Sequence, residues 1–146
     1  MSEPIFVAHL ADRRIAFAAR RLESIVEISK IMPVPRSPDH IEGLTTLRSQ
    51  TLTVINCRRV LGVEDAEVSG DEPRQAAVVK HGMHQYALLL DDVEDVVEWD
   101  GEIKDILGGV GDAWERMANG VVETEGGPAL LLNVEPFIEV DLQPVQ

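Results

Sequence analysis

The chain has 146 residues, about one domain's length, with 45% hydrophobic and 27% charged residues and a formal charge of −13. This is a globular composition, and so acidic a surface repels phosphates, which excludes nucleic acid as the main ligand. The one cysteine, Cys57, can form neither an intrachain disulfide nor a cysteine-based zinc cage, which fits a reducing cytoplasm.

Met1-Ser2-Glu3-Pro4 lacks the basic start of a secretory signal, and apolar runs such as Ala87-Leu88-Leu89-Leu90 fall far short of the ~20 residues of a membrane span. The expected location is cytoplasmic, without direct membrane insertion. Ile5–Leu10 and Ile15–Ala18 flank the polar tip Ala11-Asp12-Arg13-Arg14 and predict a hairpin. Leu22–Ile31 fits either a helical face or, through Ile25-Val26-Glu27-Ile28, a strand. Met32-Pro33-Val34-Pro35-Arg36-Ser37-Pro38 is too rich in proline for a helix or central strand and predicts an extended crossing. Further strands are expected at Leu52–Ile55, Ala76–Lys80, Tyr86–Leu90 and Ala129–Leu132. Val63–Gln75 has the composition of a boundary, and Asp112–Asn119 that of a short helix stopped by Gly120, with Trp114, Met117 and Ala118 turned inward.

An internal repeat resolves the ambiguous segment. Shifted by 71, Ala16-Phe17-Ala18-Ala19 falls on Ala87-Leu88-Leu89-Leu90, and Leu22–Glu27 falls on Val93–Glu98. Shifted by 77, Val54-Ile55-Asn56-Cys57 falls on Leu131-Leu132-Asn133-Val134. Each half therefore reads as a hairpin, a third strand, a connection, a further strand and a short helix entered near an asparagine. Small all-β halves of about five strands usually curl into barrels. Charge is split unevenly: residues 1–63 hold nine Lys/Arg against six Asp/Glu, and residues 64–146 hold four against twenty. The plain reading is a solvated acidic surface, and the sharper one is that the two halves face different partners.

Catalytic patterns are weak. His81-Gly82-Met83-His84 has metal-like spacing but sits at a predicted hairpin tip. Asp91-Asp92 and Glu94-Asp95 fit the acids of an outer turn better than an acid–base pair. Gly108-Gly109-Val110-Gly111 lacks the Lys-Ser/Thr of a phosphate loop and reads as a flexible connection. Cys57 reads as packing. Six aromatic residues do not make a base-stacking platform for the doublets Arg13-Arg14, Arg20-Arg21 and Arg58-Arg59. The pattern is that of a non-catalytic protein-binding scaffold without cofactor or metal.

Met32-Pro33-Val34-Pro35, then Pro38, Ile41, Gly43-Leu44 and Leu47-Arg48, resembles the signature of the CheW family of chemotaxis coupling proteins. Leu52–Gly62 occupies the family's next strand and short helix. Departures are Thr46 and Ser49 where the family has Asn and Gly, Thr53 for Pro, and Asn56 for Asp. A glycine at 49 would adopt the positive φ of a tight turn, which serine adopts poorly. The resemblance implies an all-β fold with short helices: one CheW-like domain over 1–146, built of two five-stranded SH3-like β-barrel subdomains. Subdomain 1 is expected at about 14–75 and subdomain 2 at about 76–132, with the N-terminal strand and segment 133–146 completing the barrels.

The same resemblance implies an adaptor that couples the regulatory domain of a CheA-type histidine kinase to the cytoplasmic tip of methyl-accepting chemoreceptors, in arrays at the inner membrane. It assigns Ile25, Glu27, Gly43, Arg48, Ser49 and Val96 to receptor binding. Arg48 is expected at a groove between the barrels, with an ion pair to an acid such as Glu27 as the structural alternative. A second reading is a regulatory module of a sister pathway that binds a diverged kinase or a response regulator. A third is a small enzyme or metal protein using His81, His84 and Asp91.

Overall fold

A computed structural model of the chain describes residues 3–65, 72–99, 101–106 and 108–139. In chain order the strands are β1 (Ile5–Leu10), β2 (Arg13–Ala18), β3 (Leu22–Ile28), β4 (Ile41–Leu47), β5 (Gln50–Ile55), β6 (Arg74–His81), β7 (His84–Leu90), β8 (Asp92–Val97), β9 (Ala118–Thr124) and β10 (Gly127–Leu132). Among the described residues three short α-helices follow the same order, α1 (Cys57–Val60), α2 (Asp112–Met117) and α3 (Glu135–Ile138), and a 3-10 turn spans Ala19–Arg21. The ambiguous segment is strand, and every predicted strand is found. Two further strands lie outside the predicted ones, β4 and β9, which contain Gly43 and Gly120. Gly120 does not stop α2; it lies inside β9. Residues 66–71 of the predicted boundary and 140–146 of the C-terminal segment lie outside the described residues.

The strands form two open five-stranded sheets, ordered β8-β1-β2-β10-β9 and β3-β6-β7-β5-β4. The protein is therefore mostly β with a few short helices, and its described strands form no closed barrel. Nor do the sheets divide the chain near residue 75. Each sheet takes its hairpin from one half and its other three strands from the other half. Connection length dictates this exchange. In a self-contained half, β3 would lie parallel to β2, and a parallel crossover needs a dozen or more residues. Only Ala19–Arg21 separate β2 from β3, and only Asp91 separates β7 from β8. The third strand of each half must start where the hairpin ends, in the other sheet.

The internal repeat is exact in the pairing. β2 runs parallel to β10 through Leu131↔Ala16, as β7 runs parallel to β5 through Val54↔Ala87. Gly43 and Gly120 occupy equivalent places. The Gly43 strand receives the bridge Met32↔Leu44, and the Gly120 strand receives Lys104↔Val121. A β-carbon on either glycine would run into the carbonyl oxygen of Met32 or Lys104, so only glycine admits the crossing strand. Asn56 caps α1 by accepting the Arg59 N–H (3.2 Å) and donates to Glu42 (2.9 Å). Asn133 does not cap α3; it donates to Asn119, the equivalent of Glu42 (3.0 Å).

Central strands are buried on both faces, which explains their nearly continuous apolar runs. On β6, Ala76 and Val78 face a small core within their own sheet, and Ala77 and Val79 face a core shared by both sheets. On β1, Ile5 and Val7 face the other small core, and Phe6, Ala8 and Leu10 the shared one. The helices close the shared core: Trp114 and Met117 from α2, Phe137 and Ile138 from α3. Phe137 meets Phe17 edge-on at 6.3 Å, a contact worth about 0.5–1.5 kcal/mol beyond burial.

Candidate functional site

Ile25 and Glu27 lie on β3, the margin of one sheet, and Val96 lies on β8, the margin of the other. Ile25 is 39% exposed and Val96 52% exposed. The repeat that superposes the halves places these two residues on each other. Their neighbours tell which way they point. Ile25 pairs with Ala77 and Val96 with Phe6, both shared-core residues, so each exposed side chain stands at the rim of the shared core. Glu27, two residues on, shares the Ile25 face and is exposed.

Regular alternation would not put them there. Leu22 pairs with Val79 and already packs against the shared core, so Ile25, three residues on, should face away. A β-bulge at Glu23 changes the parity. On β8, Glu94 and Asp95 together oppose Val7, which lets both Val93 and Val96 face the shared core. The two bulges are equivalent under the repeat, and each bulged glutamate is gripped from the hairpin. Gln85 donates to Glu23 (2.6 Å). Arg14, the equivalent of Gln85, holds Glu94 in a fork, Nε to Oε2 at 2.9 Å and Nη2 to Oε1 at 3.1 Å. His9 adds a contact to the same carboxylate. Arg14, followed by His9, holds the Glu94 carboxyl below the usual range. Through Nη1, Arg14 also donates to Thr124 Oγ1 (2.7 Å) and to the Gly127 carbonyl (2.6 Å), tying β8 to β9 and β10.

The other three predicted residues lie elsewhere. Gly43 is buried on β4, the opposite margin of the sheet that carries β3, where it admits the Met32 crossing. Arg48 and Ser49 are the exposed two-residue tip of the β4–β5 hairpin, with φ of 52° and 68°. The turn forms without glycine. Among the described residues the Arg48 guanidinium has no hydrogen bond or ion pair, so the structural alternative for it, an ion pair to an acid such as Glu27, is not formed. Because β5 and β7 run parallel, this tip shares its end of the sheet with the Gly82-Met83 tip of the β6–β7 hairpin. Met83 is 93% exposed there, and no pattern in the sequence marks it. The bulged glutamates were also missed, although the 71-residue shift aligns Glu23 with Glu94 and Gln85 with Arg14.

The residues considered for chemistry have other engagements. Asp91 accepts from Arg58 and from the Ala11 N–H, and His81 lies 3.4 Å from Glu139. Among the described residues, no group of three His, Cys, Asp or Glu side chains is arranged to hold a metal ion. Burial pushes the Cys57 thiol well up, as expected of a packing residue. The Gly111 end of the glycine-rich stretch leads into α2, and Arg13 reaches over the Trp114 ring at 5.1 Å. No described helix is long and apolar enough to cross a membrane.

The CheW-like domain model matches residues 4–141, nearly the whole chain. The chain belongs to the CheW-like domain family. A chemotaxis protein CheW of Thermotoga maritima is 28% identical over 130 residues, covering 88% of this chain and 82% of that protein. The crystal structure of the scaffolding protein TtCheW from Thermoanaerobacter tengcongensis matches with a TM-score of 0.81 at 20% identity, over 99% of this chain and 98% of that one. The exchanged pair of sheets is thus the fold of a CheW scaffold, and family membership places this chain among non-catalytic scaffold proteins.

Proposed function

We propose that this chain is a chemotaxis adaptor that couples the regulatory domain of a CheA-type histidine kinase to the cytoplasmic tip of methyl-accepting chemoreceptors. The observation that carries the proposal is the pair Ile25 and Val96, two exposed β-branched residues at equivalent places on the rim of the shared core. An apolar ridge of a helical hairpin is the natural occupant of such a rim. Glu27 beside Ile25 gives the contact a polar edge. Family membership and the chemotaxis CheW relative support the same reading.

The Arg48-Ser49 tip and exposed Met83 form a second surface, at the end of one sheet. An adaptor needs two such surfaces, and this one is assigned to the kinase regulatory domain. Gly43 acts indirectly, by holding the crossing against β4. The working location follows: the cytoplasmic face of receptor arrays at the inner membrane.

Calorimetric titration of the full chain against each partner tests the proposal. Ile25→Asp and Val96→Asp are expected to weaken receptor-tip binding about tenfold or more while kinase binding holds. Arg48→Glu is expected to do the reverse. Absence of binding to both partners at about 100 µM would overturn the adaptor reading.

A further inference from the structure

We infer that the bulged glutamates Glu23 and Glu94 are positioning residues: each fixes the bulge that turns Ile25 or Val96 onto the rim of the shared core. The inference rests on the docking role proposed for Ile25 and Val96, and it adds the residues that aim them. Three observations carry it. The register changes fall at equivalent places on β3 and β8, immediately before the exposed residue. Each bulged strand sends a glutamate back to the same hairpin position, Gln85 in one sheet and Arg14 in the other. Without either bulge, strand alternation would turn the exposed β-branched residue to the other face of its sheet.

The two braces differ in chemistry. Glu23 accepts from a neutral amide, and Glu94 sits in an arginine fork that also reaches Thr124 and Gly127. The β8 rim is therefore the more firmly set of the two, and it is fixed to β9 and β10, the other second-half strands of its sheet. Since the neutral Gln85 amide suffices to hold Glu23, the grip needs no charged donor; what the two braces share is an acceptor oxygen at the end of a glutamate-length side chain. Glu94→Gln keeps that acceptor, and Glu94→Leu removes it.

Thiol labelling and binding test the inference on the full chain. Cys57 is fully buried, so a cysteine introduced at 96 or 25 is the reactive thiol. In the Val96→Cys protein, adding Glu94→Leu is expected to change the labelling rate at least about fivefold, and adding Glu94→Gln to leave it within about twofold. In the Ile25→Cys protein the Glu94 variants are expected to change nothing, and Glu23→Leu takes their place. General loss of stability would move both probes together, so this selectivity separates positioning from mere support. With a chemoreceptor cytoplasmic-tip fragment as probe, Glu94→Leu on the otherwise unaltered chain is expected to weaken binding about fivefold and Glu94→Gln less than twofold. Unchanged labelling of position 96 in the Glu94→Leu protein overturns the inference. Unchanged tip binding in Ile25→Asp and Val96→Asp, with the labelling effect intact, overturns the docking role instead.

Discussion

Arg58 of α1 grips Asp91 in a fork, Nε to Oδ1 at 3.0 Å and Nη2 to Oδ2 at 2.7 Å, at the one-residue junction between β7 and β8. At the equivalent junction between β2 and β3, Arg21 pairs with Glu135 of α3. The same bridge is built twice with its charges reversed. In each case the helix that ends one half is fastened to the point where the chain passes between sheets.

Removing the carboxylate should therefore cost more than an ordinary surface pair. Asp91 also accepts the Ala11 N–H at 2.7 Å, so Asp91→Ala orphans a backbone donor as well as a guanidinium. A loss of about 2 kcal/mol in urea unfolding is expected. The double variant Arg58→Glu with Asp91→Arg copies the polarity of Arg21–Glu135 and should recover part of that loss. If the double variant is no more stable than the sum of its single changes, the bridge contributes little.

Gly43 and Gly120 should tolerate alanine poorly, and equally so. In both, the new methyl meets a backbone carbonyl that cannot move without lifting the crossing strand. The expected cost is about 2–4 kcal/mol each by chemical denaturation. Gly62 is the control: its φ is also positive, at 74°, but nothing stands within 4 Å of a β-carbon there. Gly62→Ala should cost only about 1 kcal/mol, the backbone contribution alone. Equal losses at Gly43 and Gly62 would show that close approach is not what selects glycine in β4.

The same two glycines mark the limit of what the sequence discloses. Within a run such as Ile41–Leu47 a glycine looks like punctuation, and its purpose appears only when Met32 is seen crossing beside it. Duplication was legible because Ala16-Phe17 and Ala87-Leu88 do the same packing in the two halves. Exchange of hairpins was not, since it follows from connection length in three dimensions and leaves no mark on composition. The likeness of Ile25 and Val96 was legible through the repeat. Their common orientation was not, because a bulge reverses parity without any signal in the strand's own residues. The motif groups Arg48 with Ile25, yet two strands, β6 and β7, separate its hairpin from β3.

Acid should weaken the fold through a few identified carboxylates. Arg59 donates to Asp65 at 2.7 and 3.0 Å and holds its pKa down, and Arg14 does the same for Glu94. Burial pushes the Glu135 carboxyl up, but the bond from Arg21 and a backbone hydrogen bond outweigh it, and the net direction is down. A folded pKa below the unfolded value adds stability that is complete above about 3.9 for Asp or 4.3 for Glu. That stability is lost as pH falls through the lowered folded values. Urea midpoints should be flat near neutrality and decline below about pH 4.5, and Asp65→Asn or Glu94→Gln should shallow the decline. At the alkaline end the sign reverses. Cys57, with its pKa raised by burial, favours the fold fully below about 8.5 and progressively less above it. Cys57→Ala should remove that alkaline decline, and a decline that persists would have to come from another group.

The β4–β5 hairpin tip offers a gain in stability. Arg48 and Ser49 both hold positive φ, 52° and 68°, in a two-residue loop between the paired Leu47 and Gln50. Such a loop matches the twist of its strands only with left-handed backbone at both positions, which glycine and asparagine accept most readily. A serine there carries a steric cost of about 1 kcal/mol. Ser49→Gly relieves it and should raise stability by somewhat less, because glycine also gains freedom in the unfolded chain. Asn at 48 with Gly at 49 should add further. The Arg48-Ser49 tip is the surface proposed for kinase contact, so the single Ser49→Gly change, which keeps the Arg48 cation, is the informative one: a higher urea midpoint is expected, and kinase affinity then reads the serine alone. A drop in kinase affinity with the fold stabilised would mean that Ser49 itself touches the partner, and that the strain in this turn is kept for its hydroxyl.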